Sequence, residues 1–202
     1  MKKILSLIMT ILMISLVSFT FVSCFDQGEE PEQKDPYEIT HYATIVVEDY
    51  GTIELVLYGN AAPISVANFE KLANEGFYNG LTFHRIIDGF MAQGGGFTES
   101  GAYKEANEIK GEFTANGVNN PISHERGVIS MARADAYNSG SSQFFIMHKK
   151  NTNLDGQYAA FGKVISGIGV VDDMCKYVEQ GYNGAVSVGD RPVIKSITVT
   201  KA

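Results

Sequence analysis

The chain has 202 residues, of which 45% are hydrophobic and 19% charged, with a net charge of −7. This length suits one domain with an appendage, and the composition excludes a disordered or collagen-like chain. Phosphate binding needs clustered Lys and Arg, so the acidic balance argues against a nucleic-acid partner.

Lys2 and Lys3 precede an uncharged run from Ile4 to Val22, which has the form of an export signal. At 19 residues the run is also close to the roughly 20 that span a bilayer. The end of the run favours cleavage: Val22-Ser23-Cys24 resembles a bacterial lipoprotein box, with small Ser23 before the cysteine that would carry the lipid. Phe21 departs from the aliphatic residue that such a box favours. The expectation is a lipoprotein-type signal peptide over residues 1–23 and a lipid-anchored acidic tether over 24–40, with Cys24 lipidated. The domain would then sit at the extracytoplasmic face of a membrane. An uncleaved N-terminal transmembrane anchor and simple secretion are the alternatives. Cleavage would remove Lys2 and Lys3 and take the charge from −7 to −9. Cys24 and Cys175 are the only cysteines, so lipidation of Cys24 leaves no disulfide. Cys175, in the apolar stretch beginning at Val170, reads as a small buried hydrophobe. Phe25 to Thr40 carries Asp26, Glu29, Glu30, Glu32, Asp35 and Glu38 against the single Lys34. So little apolar surface cannot offset the entropy of ordering, and the segment is expected to stay extended.

The globular part, residues 41–202, opens with a strand at Ala43 to Val47 and a turn near Asp49-Tyr50-Gly51. Ile53 to Tyr58 alternates with the period of a strand. Pro63 suits a first helical turn, Val66, Phe69 and Ala73 share one helical face, and Gly76 is a plausible stop. Asn79-Gly80 reads as a hairpin-type turn leading into a strand from Thr82 to Ile87. Gly127 to Ala132, Gln143 to His148 and Ala160 to Val164 read as further strands. Gly169 to Tyr177 reads as a second helix, and Val193 to Thr200 as a closing strand. Many short strands with two helices are mainly β and suggest a barrel rather than a parallel sheet.

Two stretches carry the chemistry. Phe83 to Phe97 reads FHRIIDGFMAQGGGF, and Ser142 to Ile146 reads SQFFI. They set one arginine and two glutamines among aromatics, with three glycines read as bringing backbone close to a ligand. Such a groove suits a substrate that is apolar apart from its backbone. With Gly127 to Ala132 (GVISMA), Leu154-Asp155-Gly156 and Phe161 to Val164 (FGKV), these segments resemble the cyclophilin family of peptidyl-prolyl isomerases over roughly Ala43 to Ala202.

The resemblance implies a closed eight-stranded antiparallel β-barrel with an α-helix over each end, and a peptidyl-prolyl cis-trans isomerase without cofactor. Arg85 occupies the position of the family's catalytic arginine, and its rigid fork of donors suits the prolyl nitrogen of a twisted amide. Phe90, Met91, Phe145 and Leu154 match the proline pocket, while strand alternation sends Phe144 to the core. Gln93 and Gln143 match groove-lining residues. Ala132 and Arg133 match the segment that binds substrate backbone; the family often has Asn at the latter position, which matters little if the contact is main-chain. Tyr158 stands where relatives carry histidine. Asn153 stands where they carry tryptophan, so cyclosporin is expected to bind with reduced affinity. The expected partners are proline-containing peptides and unfolded exported proteins, engaged by a monomer. A non-catalytic proline-binding module or chaperone is the alternative, and a scaffold that acts through its tether a weaker one. The glycines lack the GK[ST] of a phosphate loop, the four histidines lack metal-ligand spacing, and no G-x-S-x-G elbow is present. His84 reads as a buried structural histidine.

Overall fold

A computed structural model describes residues 37–202; the expected export signal, Cys24 and the first part of the expected tether lie outside the described residues. The strands are β1 (His41–Val47), β2 (Gly51–Leu57), β3 (Leu81–Ile87), β4 (Met91–Thr98), β5 (Val128–Met131), β6 (Phe144–Met147), β7 (Ala160–Ser166) and β8 (Val193–Lys201). Two α-helices interrupt them, α1 (Pro63–Asn74) after β2 and α2 (Ile168–Tyr177) after β7. The strands close into an antiparallel barrel in the order β1-β2-β7-β5-β6-β4-β3-β8, with β8 returning to β1. In β1 the alternation is direct: Ala43, Ile45 and Val47 are buried and the residues between them are not.

The sequence reading locates seven of these strands, two of them by alternation. The eighth is β4, whose glycines leave no alternating side chains to read. Those glycines also serve the fold in a way the sequence does not announce. A Cβ on Gly96 would stand 2.6 Å from Cγ of Gln143, so this close approach admits the protein's own side chain rather than a ligand.

Helix α1 ends as expected near Gly76. The Phe77 N–H donates to the Leu72 carbonyl and the Gly76 N–H to that of Ala73, each at 2.9 Å, a Schellman closure. Asn79-Gly80 does form a turn, with the Leu81 N–H donating to the Tyr78 carbonyl at 3.0 Å. It joins α1 to β3 rather than two paired strands, so it is not a hairpin. One end of the barrel meets α1, where Phe69 packs on Tyr78, Phe144 and Phe161 at centroid distances of 5.4, 5.5 and 5.3 Å. At the other end Val170, Val171 and Met174 of α2 join the same core. Cys175 of α2 is buried there as a small hydrophobe, and burial pushes its thiol up to about 12.

A second apolar layer lies on the outer face, built from Val56, Met91, Phe145, Met147 and Ala160 and flanked by Phe90, Leu154 and Tyr158. Phe144 and Phe145 therefore divide between the two layers, as the pleat requires. Tyr37 and Ile39, which the sequence assigns to the tether, pack on this outer layer, and the Tyr37 hydroxyl donates to the Pro121 carbonyl at 3.0 Å. Among the described residues no helix is long and apolar enough to cross a membrane.

Candidate functional site

Strand register sets the site. Arg85 of β3 lies opposite Gln93 of β4, Gln93 opposite Phe145 of β6, and Phe145 opposite Ser130 of β5. One row across four strands thus places a cation, an amide and an aromatic ring side by side. The turn between β3 and β4 adds Phe90, the chain leaving β5 adds Ala132 and Arg133, and the segment from 152 to 158 adds Leu154 and Tyr158.

Together Arg85, Phe90, Met91, Gln93, Ala132, Arg133, Phe145, Leu154 and Tyr158 line a surface cavity of about 190 Å³. Nine of the ten residues expected there meet in it. The tenth, Gln143, lines an adjoining cavity of about 360 Å³ with Gln93, Ala132 and Arg133. It remains coupled to the first, because the Gln93 Nε2 donates to the Gln143 Oε1 at 2.9 Å. Asn153 is exposed on the short 3-10 turn Thr152–Leu154 and is absent from the cavity lining.

The Arg85 guanidinium is held before any ligand arrives. Its Nη1 donates to Gln93 Oε1 at 3.3 Å, while Nε and Nη2 donate to the main-chain and side-chain oxygens of Asn183, both at 3.0 Å. Partial burial pulls the guanidinium pKa down, and the neighbouring Tyr158 opposes that shift. Of five N–H groups three are engaged, which leaves two for a ligand.

Arg133 does more than offer backbone. Its guanidinium lies over the rings of Tyr158, Phe113 and Tyr137 at 4.8, 5.2 and 5.2 Å. It donates to the carbonyls of Gln157, Ala134 and Asp135. The side chain therefore props the Tyr158 wall of the cavity through stacking and hydrogen bonds, so that exchanging it would alter more than main-chain contacts.

Behind Phe145 sits a polar strut that sequence motifs do not reveal. His124 is fully buried and stacks on Phe145 at 6.0 Å; its Nδ1 is 2.9 Å from Asp155 Oδ1 and its Nε2 3.1 Å from Ser130 Oγ. Burial lowers the imidazole pKa against the pull of Asp155. Burial also raises the Asp155 carboxyl, but bonds from the His124 N–H, the Ser123 hydroxyl and the His124 ring hold it below the usual carboxylate range. Ser, His and Asp here share the connectivity of a hydrolytic triad, yet Ser130 is fully buried and meets no substrate. The strut fixes the segment that carries Leu154 to the strand behind Phe145.

His84, next to Arg85 on β3, is only partly buried, its ring 4.6 Å from that of Phe97. No cluster of three His, Cys, Asp or Glu that could hold a metal ion occurs among the described residues.

Residues 42–202 match the family model for cyclophilin type peptidyl-prolyl cis-trans isomerase. Peptidyl-prolyl cis-trans isomerase B of Bacillus subtilis is 49% identical over 129 residues, covering 64% of this chain and 87% of the relative. Peptidyl-prolyl cis-trans isomerase A of Dickeya dadantii is 36% identical over 198 residues, covering 96% of this chain and 94% of the relative. A crystal structure of a Cryptosporidium parvum cyclophilin type isomerase, determined in the presence of the dipeptide Ala-Pro, superposes with a TM-score of 0.68 at 27% identity. That superposition covers 80% of this chain and 99% of the other.

Proposed function

The chain belongs to the cyclophilin-type family of peptidyl-prolyl cis-trans isomerases, and on that premise we propose that it isomerises X-Pro bonds of exported proteins with Arg85 as the catalytic donor. The observation that carries the assignment of Arg85 is its placement: a half-buried guanidinium, restrained by Gln93 and Asn183, at the wall of the cavity that Phe90, Met91, Phe145 and Leu154 also line.

The chemistry asks little. Amide resonance sets a barrier of roughly 18–20 kcal/mol, and uncatalysed exchange takes about 10–100 s. Reaching a turnover of about 1 to 1000 per second needs roughly 3 to 7 kcal/mol of transition-state stabilisation. As the amide twists, the prolyl nitrogen loses conjugation and regains its lone pair. A donor aimed at that nitrogen bonds the twisted state better than the planar one, so its effect falls on turnover. One charge-assisted hydrogen bond contributes about 1.5 to 3 kcal/mol. Restraint of the ring by Phe90, Met91, Phe145 and Leu154, and removal of water around the nitrogen, supply the rest. Gln93 and Gln143 hold Arg85 or bind the peptide carbonyls, and Ala132 and Arg133 bind the peptide backbone.

The client class derives from the leader. An export signal ending in Ser23-Cys24 and an acidic tether put the domain on the outer face of a membrane, where newly translocated chains fold. There slow X-Pro exchange limits folding, and the enzyme relieves it.

Two-dimensional exchange NMR on a short X-Pro peptide tests the catalytic role. Arg85→Ala is expected to lower turnover about 30- to 1000-fold, a loss of about 2 to 4 kcal/mol, with a smaller fall in peptide affinity. Arg85→Lys should recover only part of the rate, because a point charge lacks the planar fork. A folded Arg85→Ala variant with near wild-type turnover would remove the donor mechanism.

A further inference from the structure

The turn Tyr182–Gly184 is fastened to β3 on both sides of Arg85. Val186 N–H donates to the His84 carbonyl at 3.0 Å, Ala185 forms an antiparallel bridge with Arg85, and Asp88 N–H donates to Gln180 Oε1 at 3.0 Å. Gly184 presses so closely that a Cβ there would stand 2.3 Å from Cγ1 of Ile87. Within this turn Asn183 adopts φ 54° and ψ 30°, one of two non-glycine residues with positive φ among the described residues. Asn is among the few L-residues that tolerate that region, and an outlier held by its surroundings points to a role.

What the conformation achieves is visible at Arg85. It turns the main-chain carbonyl and the side-chain amide oxygen of one residue toward the same edge of the guanidinium, accepting from Nε and Nη2 at 3.0 Å each. Arginine has no acceptor, so the donors themselves dictate which end of the carboxamide faces them. Gln93 restrains the remaining nitrogen from the other strand.

We propose that Asn183 is the positioning residue of the active site, a left-handed clamp that fixes the plane of the Arg85 guanidinium so that its free N–H groups point into the proline cavity. The inference rests on the reading of Arg85 as donor. Orientation set before substrate binds is not repeated at each turnover, so its loss falls on kcat more than on KM.

The test compares Asn183→Gly and Asn183→Asp, alone and combined with Arg85→Ala. Steady-state kinetics on an X-Pro peptide are read beside ¹⁵N NMR of rotation about the Arg85 Nε–Cζ bond. Glycine keeps the left-handed backbone and the main-chain acceptor but deletes Oδ1. It should lower kcat about 5- to 50-fold, leave KM within about twofold, and speed the rotation. Aspartate supplies an oxygen in the same place and should retain most of kcat with slow rotation. In the Arg85→Ala background Asn183→Gly should change nothing further. An equal fall in both backgrounds would assign Asn183 to the stability of the turn and overturn the proposal. So would unchanged kcat and rotation in Asn183→Gly, or an Asp variant as impaired as the Gly variant. If Arg85→Ala itself proves active, the donor mechanism fails, and the rotation rate still decides whether Asn183 holds the guanidinium.

Discussion

His84 and Arg85 are consecutive on β3 and meet opposite surroundings. The arginine faces the cavity with two N–H groups to spare, while the histidine ring lies against Phe97 with its Nδ1 buried and without a hydrogen-bond partner. Burial, reinforced by the charges of Arg191 and Arg85, lowers the His84 pKa from 6.5 to about 4 against the weaker upward pull of the Thr82 main chain and the Gln143 side chain. Because the folded value lies below the unfolded one, the unfolded chain binds the extra proton between them. This contribution to stability is complete above pH 6.5 and is lost as pH falls toward 4, by at most about 3 kcal/mol. Urea unfolding of wild type and His84→Gln across that window checks it: the variant should show a flatter dependence, and an unchanged slope would clear His84 of the effect. The ten cavity and groove residues were legible through the resemblance to the cyclophilin family, carried by several separated motifs, and the pleat separates Phe144 from Phe145. Asn183 and the His124–Asp155 pair were not, since partners 98 and 31 residues apart leave no periodic or spacing trace.

At the scale of elements, α1 shows where local reading ends. Pro63 and the apolar face at Val66, Phe69 and Ala73 announce the helix, but its N-cap is Ala62, which offers no side-chain acceptor. The cap comes from elsewhere. Glu112, buried in the loop before β5, accepts from the Ile64 and Ser65 N–H groups at 2.9 and 2.7 Å and from the Ser65 hydroxyl at 2.8 Å. A buried carboxylate on the positive end of the helix dipole, bonded at both oxygens, is a strong N-terminal closure. Glu112→Ala leaves these buried donors without a partner and should cost about 2 to 4 kcal/mol, lowering the melting temperature by roughly 5 to 15 °C. Glu112→Gln should cost less, because one oxygen survives while the amide nitrogen turns a donor toward a donor. Thermal unfolding followed by circular dichroism separates these, and equal melting temperatures for all three proteins would exclude the cap. β4 eluded the sequence for a related reason: its pairing with β3 and β6 rests on backbone and on the space its glycines leave, and neither appears in a hydrophobic pattern.

For the molecule as a whole, closure of the barrel sets the first and last described strands side by side. β1 pairs with β8 as well as β2, His41 opposite Lys201, and the Ala202 N–H donates to the Thr40 carbonyl at 2.9 Å. Every strand edge is thereby used, and the chain enters the barrel beside the point where it ends. The cavity residues all fall between Arg85 and Tyr158, within the span that matches the family model. The proposed attachment and the proposed catalysis fall in separate parts of the sequence and should be separable by mutation. Cys24 succeeds small Ser23 at the end of the uncharged run, and a tether rich in Asp and Glu is repelled by an anionic membrane surface. Under the proposed lipidation, attachment would depend on the acyl chains, and one chain alone binds a bilayer only marginally. Replacing Cys24 by Ser in the full chain should move the protein from the membrane to the soluble fraction, or leave an unprocessed precursor. Turnover per mole of folded domain on an X-Pro peptide should stay at the wild-type value. Fractionation and immunoblotting of cells expressing each form decide the matter. A Cys24→Ser protein that is processed normally and stays with the membrane would exclude the lipid anchor and shift the attachment to the apolar run itself.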